Sequence, residues 1–256
     1  MHPKTSNFLK TLRAQAFLWS FVFVFCFLCA GAVSDTLLPS NYSGVTIKHT
    51  YFTLSYSNKD KQAEWVAYSL TPTFINGTQK RASKFMADPN IKDAVGPSSY
   101  TKSGYDRGHL CPAADMKLNS VSMNETFYMS NMSPQAPSFN RGIWSKLEDK
   151  VRDWALQKNG VYVVTGPLLN KSCGVVSKSI TVPCAFYKIV FKQTKAGVEA
   201  IAFMLPNVGS SMSLSQFVVS IDYIESLTGI DFFVNLPDSE EEKFESRVLT
   251  NNWQFN

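Results

Sequence analysis

Ala185-Phe186-Tyr187-Lys188-Ile189-Val190-Phe191 and Glu199-Ala200-Ile201-Ala202-Phe203-Met204-Leu205 are two apolar runs of strand length, separated by a turn near Lys195-Ala196-Gly197. So short a connection implies antiparallel pairing, because a parallel crossover takes a dozen or more residues. Outward from this hairpin, Val161-Tyr162-Val163-Val164-Thr165 reads as a buried strand, and Tyr51–Tyr56 and Glu64–Leu70 as strands around a polar loop. Phe127–Asn131 reads as a further short strand or extended segment. The clearest helix starts at Asn140: Ile143, Trp144, Leu147, Val151, Trp154 and Ala155 recur at helical spacing, and Asn159-Gly160 stops it. A second helix is expected over Leu214–Leu227, ended by Thr228-Gly229, with Phe232 and Phe233 returning to the core. The acidic run Asp238–Glu242 reads as a solvated helix start. Strands outnumber helices and do not alternate with them, so the expected class is α+β, a central and mostly antiparallel sheet flanked by helices.

The N-terminus is of another kind. Lys4, Lys10 and Arg13 precede an uncharged run from Ala14 to Ser34, and within it Ala30-Gly31-Ala32 has the small-x-small form of a signal-peptidase site. Residues 1–32 are therefore expected to be a cleaved signal peptide. The alternative is a membrane anchor, since the run approaches the roughly 18–20 residues that span a bilayer. On either reading residues 33–256 form a single domain outside the cytoplasm, secreted or periplasmic, and cleavage would leave it without stable membrane association. The chain carries a formal +5; without its three basic signal residues the mature charge is +2, which permits a polyanionic substrate without indicating one. Of three cysteines outside the signal, Cys173 and Cys184 are placed to close a loop by a disulfide in an oxidising compartment. Cys111 is then a free, structural thiol.

Two histidines remain beyond the signal. His49 has no companions that suggest a site, and is expected to be structural. His109 ends Asp106-Arg107-Gly108-His109, at the exit of a long Pro-, Gly- and Ser-bearing loop from Asp88 to Gly104. Gly108 would let the backbone turn sharply. A neutral imidazole can take a proton from water near pH 7, and the Arg107 guanidinium can pair bidentately with phosphate oxygens. Ser130-Asn131-Met132-Ser133-Pro134-Gln135 follows, then Asn140-Arg141-Gly142-Ile143-Trp144 and Leu147-Glu148. Asn140 stands where a helix N-cap is expected. Glu148 lies about two turns deeper on roughly the same side. An amide oxygen with a carboxylate suits a hard cation such as Mg2+, which takes few protein ligands.

These three ordered motifs resemble the DNA/RNA non-specific endonucleases, the ββα-metal (His-Me finger) nucleases related to endonuclease G. The similarity runs from about Tyr51 to Asp238 and takes in Trp65-Val66-Ala67-Tyr68 and Thr165-Gly166-Pro167. The resemblance implies a ββα-metal nuclease fold and hydrolysis of DNA and RNA to 5′-phosphate products without sequence preference. It implies His109 as general base, Asn140 as the direct ligand of one Mg2+ (Mn2+ being the alternative), Arg107 near the scissile phosphate and Glu148 acting on the metal through water. Asn131 matches a further polar active-site residue. Arg81 matches an upstream arginine that steadies the transition state, a role Lys80 or Arg141 could also fill. Dimers occur in the family, so a homodimer is one expected state. Two rival functions share part of the pattern: a non-catalytic DNA-binding protein of this fold, and a phosphodiesterase for small or lipid phosphates.

Overall fold

In chain order the elements are β1 (Val45–Lys48), β2 (Phe52–Ser57), β3 (Gln62–Leu70), α1 (Pro72–Ile75), β4 (Asp106–His109), α2 (Ser120–Glu125), β5 (Met132–Gln135), α3 (Ser145–Gln157), β6 (Val161–Pro167), β7 (Ser172–Val176), β8 (Ile180–Pro183), β9 (Ala185–Thr194), β10 (Gly197–Pro206), β11 (Val218–Val219), α4 (Ile221–Thr228) and α5 (Asp238–Glu245). This computed structural model describes residues 37–255 except 196, 237 and 249, so the signal segment expected over 1–32 lies outside the described residues. Among the described residues no helix is long and apolar enough to cross a membrane.

Seven strands form one sheet in the order β1-β2-β3-β6-β9-β10-β11, and each neighbouring pair is antiparallel. Alternation along β9 shows how one strand serves two layers. Phe186 and Val190 enter the core shared with Trp144, Leu147, Val151 and Trp154 of the α3 side. Tyr187, Ile189 and Phe191 enter a second core with Ile221, Ile224, Phe232 and Phe233. Burial of each such Phe or Ile contributes roughly 1.5–3 kcal/mol, so both faces of the sheet are anchored. Cys173 and Cys184 are bridged, with Cα atoms 5.1 Å apart, and Cys111 is free and buried.

Three expected elements came out differently. Phe127–Asn131 is a short extended segment rather than a strand: Tyr128 makes a single parallel bridge to Met86, the chain then turns with Asn131 N donating to Tyr128 O at 3.0 Å, and the antiparallel ladder begins at Met132, opposite His109. The span Leu214–Leu227 is no single helix, because Val218 and Val219 pair with Phe203 and Ala202, as β-branched residues favour. Ser220 then starts α4 afresh by accepting a hydrogen bond from Tyr223 N at 3.2 Å. Finally, the regular helix begins at Ser145 rather than Asn140, behind a wide helical turn over Phe139–Trp144 in which Gly142 leaves helical geometry (φ −112°, ψ −112°).

Candidate active site

The β4–β5 pair places the imidazole. Arg107 and His109 lie two apart on a strand and so share a face, opposite Pro134 and Met132 of β5. Gly108 is needed for space rather than for a turn. A Cβ there would lie 2.2 Å from the Gln135 side chain, and its backbone is extended within β4. Beyond His109, Asn131 holds the returning chain: its Oδ1 accepts from Cys111 N at 2.8 Å, while Nδ2 donates to the carbonyls of Cys111 and Thr126, both at 2.9 Å. Asn131 is fully buried and does not line the cleft. The side chain expected at the chemistry thus lies behind the cleft, tied to backbone groups of the chain leaving β4. Asn131→Ala is expected to cost on the order of 3 kcal/mol in urea unfolding, since it strands buried backbone groups. An unchanged midpoint would show the bonds to be dispensable.

The turn before α3 places Asn140, and here the capping expectation fails. Asn140 sits inside the wide turn, preceded by Ser138 at the cap position, which makes no side-chain cap bond. Its Nδ2 instead donates to Asp106 Oδ2 at 2.9 Å. Because a carboxylate only accepts, this contact fixes the amide's orientation and leaves Oδ1 uncommitted among the described residues. Asp106 also takes a forked pair from Arg141, Nε at 2.8 Å and Nη2 at 2.6 Å. Burial works against the Asp106 charge, but the hydrogen bonds from Arg141 and Asn140 outweigh it and hold the carboxyl below its usual range.

These residues line one cleft of about 590 Å³, together with Arg81, Phe85, Arg107, His109, Glu148 and Arg152. Lys80 is not part of the lining. His109 is half-buried and lies edge-on to Phe127, ring centres 5.1 Å apart. Its Nε2 is shut from solvent without a hydrogen-bond partner among the described residues. Burial, reinforced by the positive Arg81, pushes its pKa down to about 3. Both arginines are steered by aromatic faces: Arg81 lies 5.1 Å over Phe127 and Arg107 5.0 Å over Phe85. Arg107 Nη2 also donates to Pro97 O at 2.8 Å, so the long loop from Asp88 to Gly104 orients this guanidinium.

Under the cleft Glu148 meets a charged layer of Lys188, Asp115 and Arg152, three residues that no motif singled out. Burial raises the Glu148 carboxyl above its ordinary value, opposed mainly by Lys188. Lys188 is fully buried, between Phe186 and Val190 on the face of β9 turned to α3, with Nζ 4.8 Å over the Trp144 ring. Burial lowers its pKa, and Glu148 and Asp115 oppose that. Asp115, also buried, accepts from Arg152 Nη1 at 2.7 Å and from the Tyr68 hydroxyl at 2.9 Å. A lysine centred in the run Phe186–Phe191 was the available signal, since buried charges are seldom left unpaired. His49 is structural as expected, its Nε2 3.0 Å from Asp88 Oδ2, an oxygen that also accepts from Ser130 Oγ. Tyr100 is buried and donates to Met132 O at 3.4 Å, so its ring offers no face to a nucleotide.

The profile of the DNA/RNA non-specific endonucleases matches residues 30–239. A nuclease of Nostoc sp. is 36% identical over 233 residues, covering 86% of this chain and 83% of that protein. The mitochondrial endonuclease G of Caenorhabditis elegans is 32% identical over 225 residues, 79% of this chain and 73% of that protein. In three dimensions, a chain of the solved EndoG/EndoGI complex superposes with a TM-score of 0.72 at 27% identity, covering 78% of this chain and 90% of that one. The antiparallel sheet, the β4–β5 pair and α3 are thus the ββα-metal fold that the motifs implied, and the chain belongs to the DNA/RNA non-specific endonuclease family.

Proposed function

We propose that the protein is an exported, Mg2+-dependent endonuclease that cuts DNA and RNA alike. What carries this reading is the convergence of His109, Arg81, Arg107, Asn140 and Glu148 on one cleft. The donor set fits a hard cation: the Asn140 amide is pinned by Asp106 so that its oxygen is left over, and Glu148 stands in the same lining. Mg2+ held there would supply Lewis-acid polarisation of the scissile phosphate and neutralise charge on the leaving oxygen. His109 takes the proton of the attacking water, and Nδ1 is the nitrogen assigned to it because Nε2 is closed off. Arg81 and Arg107 hold phosphate oxygens and offset the charge that builds in the transition state. Asp106 orients Asn140, and Glu148 would accept hydrogen bonds from water on a cation held there. These contacts fall on phosphate, which accounts for indifference to base and sugar. The Cys173–Cys184 bridge supports an oxidising compartment, in line with signal cleavage after Ala32.

Residues 33–256 are expected to degrade both plasmid DNA and RNA in Mg2+, and to stop in EDTA. Folded protein that leaves both polymers intact in Mg2+ would sink this reading in favour of the non-catalytic binding protein.

A further inference from the structure

Outside the cleft, α4 and α5 bring together a second group of oxygen donors. Asp222 and Glu225 are three apart on α4 and share one of its faces. Glu245 is the last residue of α5. One carboxylate oxygen from each of the three lies within 4.8 Å of the other two. Oxygens ligating a single Ca2+ at roughly 2.3–2.6 Å stand at most about 5 Å apart, so one ion could touch all three with the helices where they are.

Glu245 distinguishes this group from an ordinary acidic surface. It is only 7% exposed, and its Oε1 is closed to solvent with no hydrogen-bond partner among the described residues. Buried acceptors normally have a donor. The neighbouring Phe244 packs into the second core, its ring 5.8 Å from Phe233 and 5.9 Å from Phe191, which keeps this end of α5 against the sheet. Glu225 spends Oε1 on Phe232 N at 2.8 Å and retains its other oxygen. Asp231 adds further negative charge beside both glutamates.

We propose that Asp222, Glu225 and Glu245 form a calcium site that fastens α5 to α4, separate from the catalytic metal. Ca2+ suits the set better than Mg2+, because it accepts six to eight oxygens in irregular geometry whereas Mg2+ requires a near-ideal octahedron. The site serves stability and leaves the chemistry of the cleft alone. Its place beside the C-terminal helix makes it a clamp that outside calcium levels would close.

Calorimetric titration of Asn140→Ala protein with Ca2+ tests this, since the substitution removes the catalytic ligand. One ion is expected to bind, with Kd on the order of 10⁻⁴ M. In wild-type protein held in excess Mg2+, added Ca2+ should raise Tm by several degrees through mass action. Asp222→Asn with Glu225→Gln should weaken binding at least about tenfold and remove the Tm shift, while nuclease activity in Mg2+ stays unchanged. Asp222 is exposed and Gln can still accept from Phe232 N, so this pair avoids the folding risk of Glu245→Gln. No Ca2+ binding at about 10 mM, or equal binding by the double variant, would overturn the proposal.

Discussion

His109→Ala is expected to lower kcat on both DNA and RNA by roughly 10²–10⁴-fold, the usual worth of a general base, with the unfolding transition still cooperative. The rings of Phe85 and Phe127 that flank the imidazole remain in place, so the lesion is chemical. Activity within tenfold of wild type would remove His109 as the base. The pH profile carries a second, sharper expectation. Burial and Arg81 hold the His109 pKa down to about 3, so the free enzyme keeps its base neutral far below the ordinary 6.5. Bound phosphate offsets the Arg81 charge and moves that pKa back up. The acid limb of kcat/KM, which reports free enzyme, should therefore lie at lower pH than the acid limb of kcat. Coincident limbs near 6.5 would contradict the depressed value. Stability follows the same sign: between pH 6.5 and 3 the unfolded chain takes up a proton on His109 that the folded chain refuses, so stability falls as pH drops through this window. His109→Ala should lose less over that range.

Loss of the Asn140 side chain is the other large effect. Asn140→Ala should raise the Mg2+ concentration for half-maximal activity by at least about 10²-fold, because a site with so few protein ligands has little to fall back on. Asn140→Asp should not rescue it, although a carboxylate is the better ligand in isolation. The substitution replaces the 2.9 Å donation to Asp106 by two like charges in contact. Adding Asp106→Asn to Asn140→Asp returns one donor and one acceptor to the contact, and should recover a measurable part of the metal affinity. If Asn140→Asp alone matches wild type in Mg2+ titrations, Asp106 has no part in orienting the ligand.

How much of this was legible in the sequence differs by layer. Long apolar runs showed themselves: Ala185–Phe191 and Val161–Thr165 are strands, and α3 follows the stripe from Leu147 to Ala155, because hydrophobic periodicity survives any tertiary context. Short segments did not. β4 and β5 are four residues each and hold together through one another, so neither Asp106–His109 nor Met132–Gln135 carries a pattern of its own. Gly108 was noticed for the wrong reason, since the close approach of Gln135 comes from the partner strand. Asn140 looked like a cap because local sequence cannot show that Asp106, far back in the chain, takes its amide. Arg81 could be placed only by resemblance; its seat above Phe127 is a contact between distant segments. Lys188 was visible as an anomaly, yet what it balances, Glu148 on α3 and Asp115 in the turn after β4, is known only once those segments meet β9.

One arrangement bears on how the gene can vary. Asn207, at the end of β10, accepts from Ala136 N at 2.8 Å and donates to Pro134 O and Pro183 O, both at 3.0 Å. Together with Asn131 it ties down the two ends of the β4–β5 pair by side-chain amides, each of which both donates and accepts. An asparagine codon becomes an aspartate codon through a single base change, and the product is almost the same size. At these two buried positions that small change exchanges donors for a second acceptor facing main-chain carbonyls. The substitutions that look mildest on paper are therefore among those the lineage can least retain.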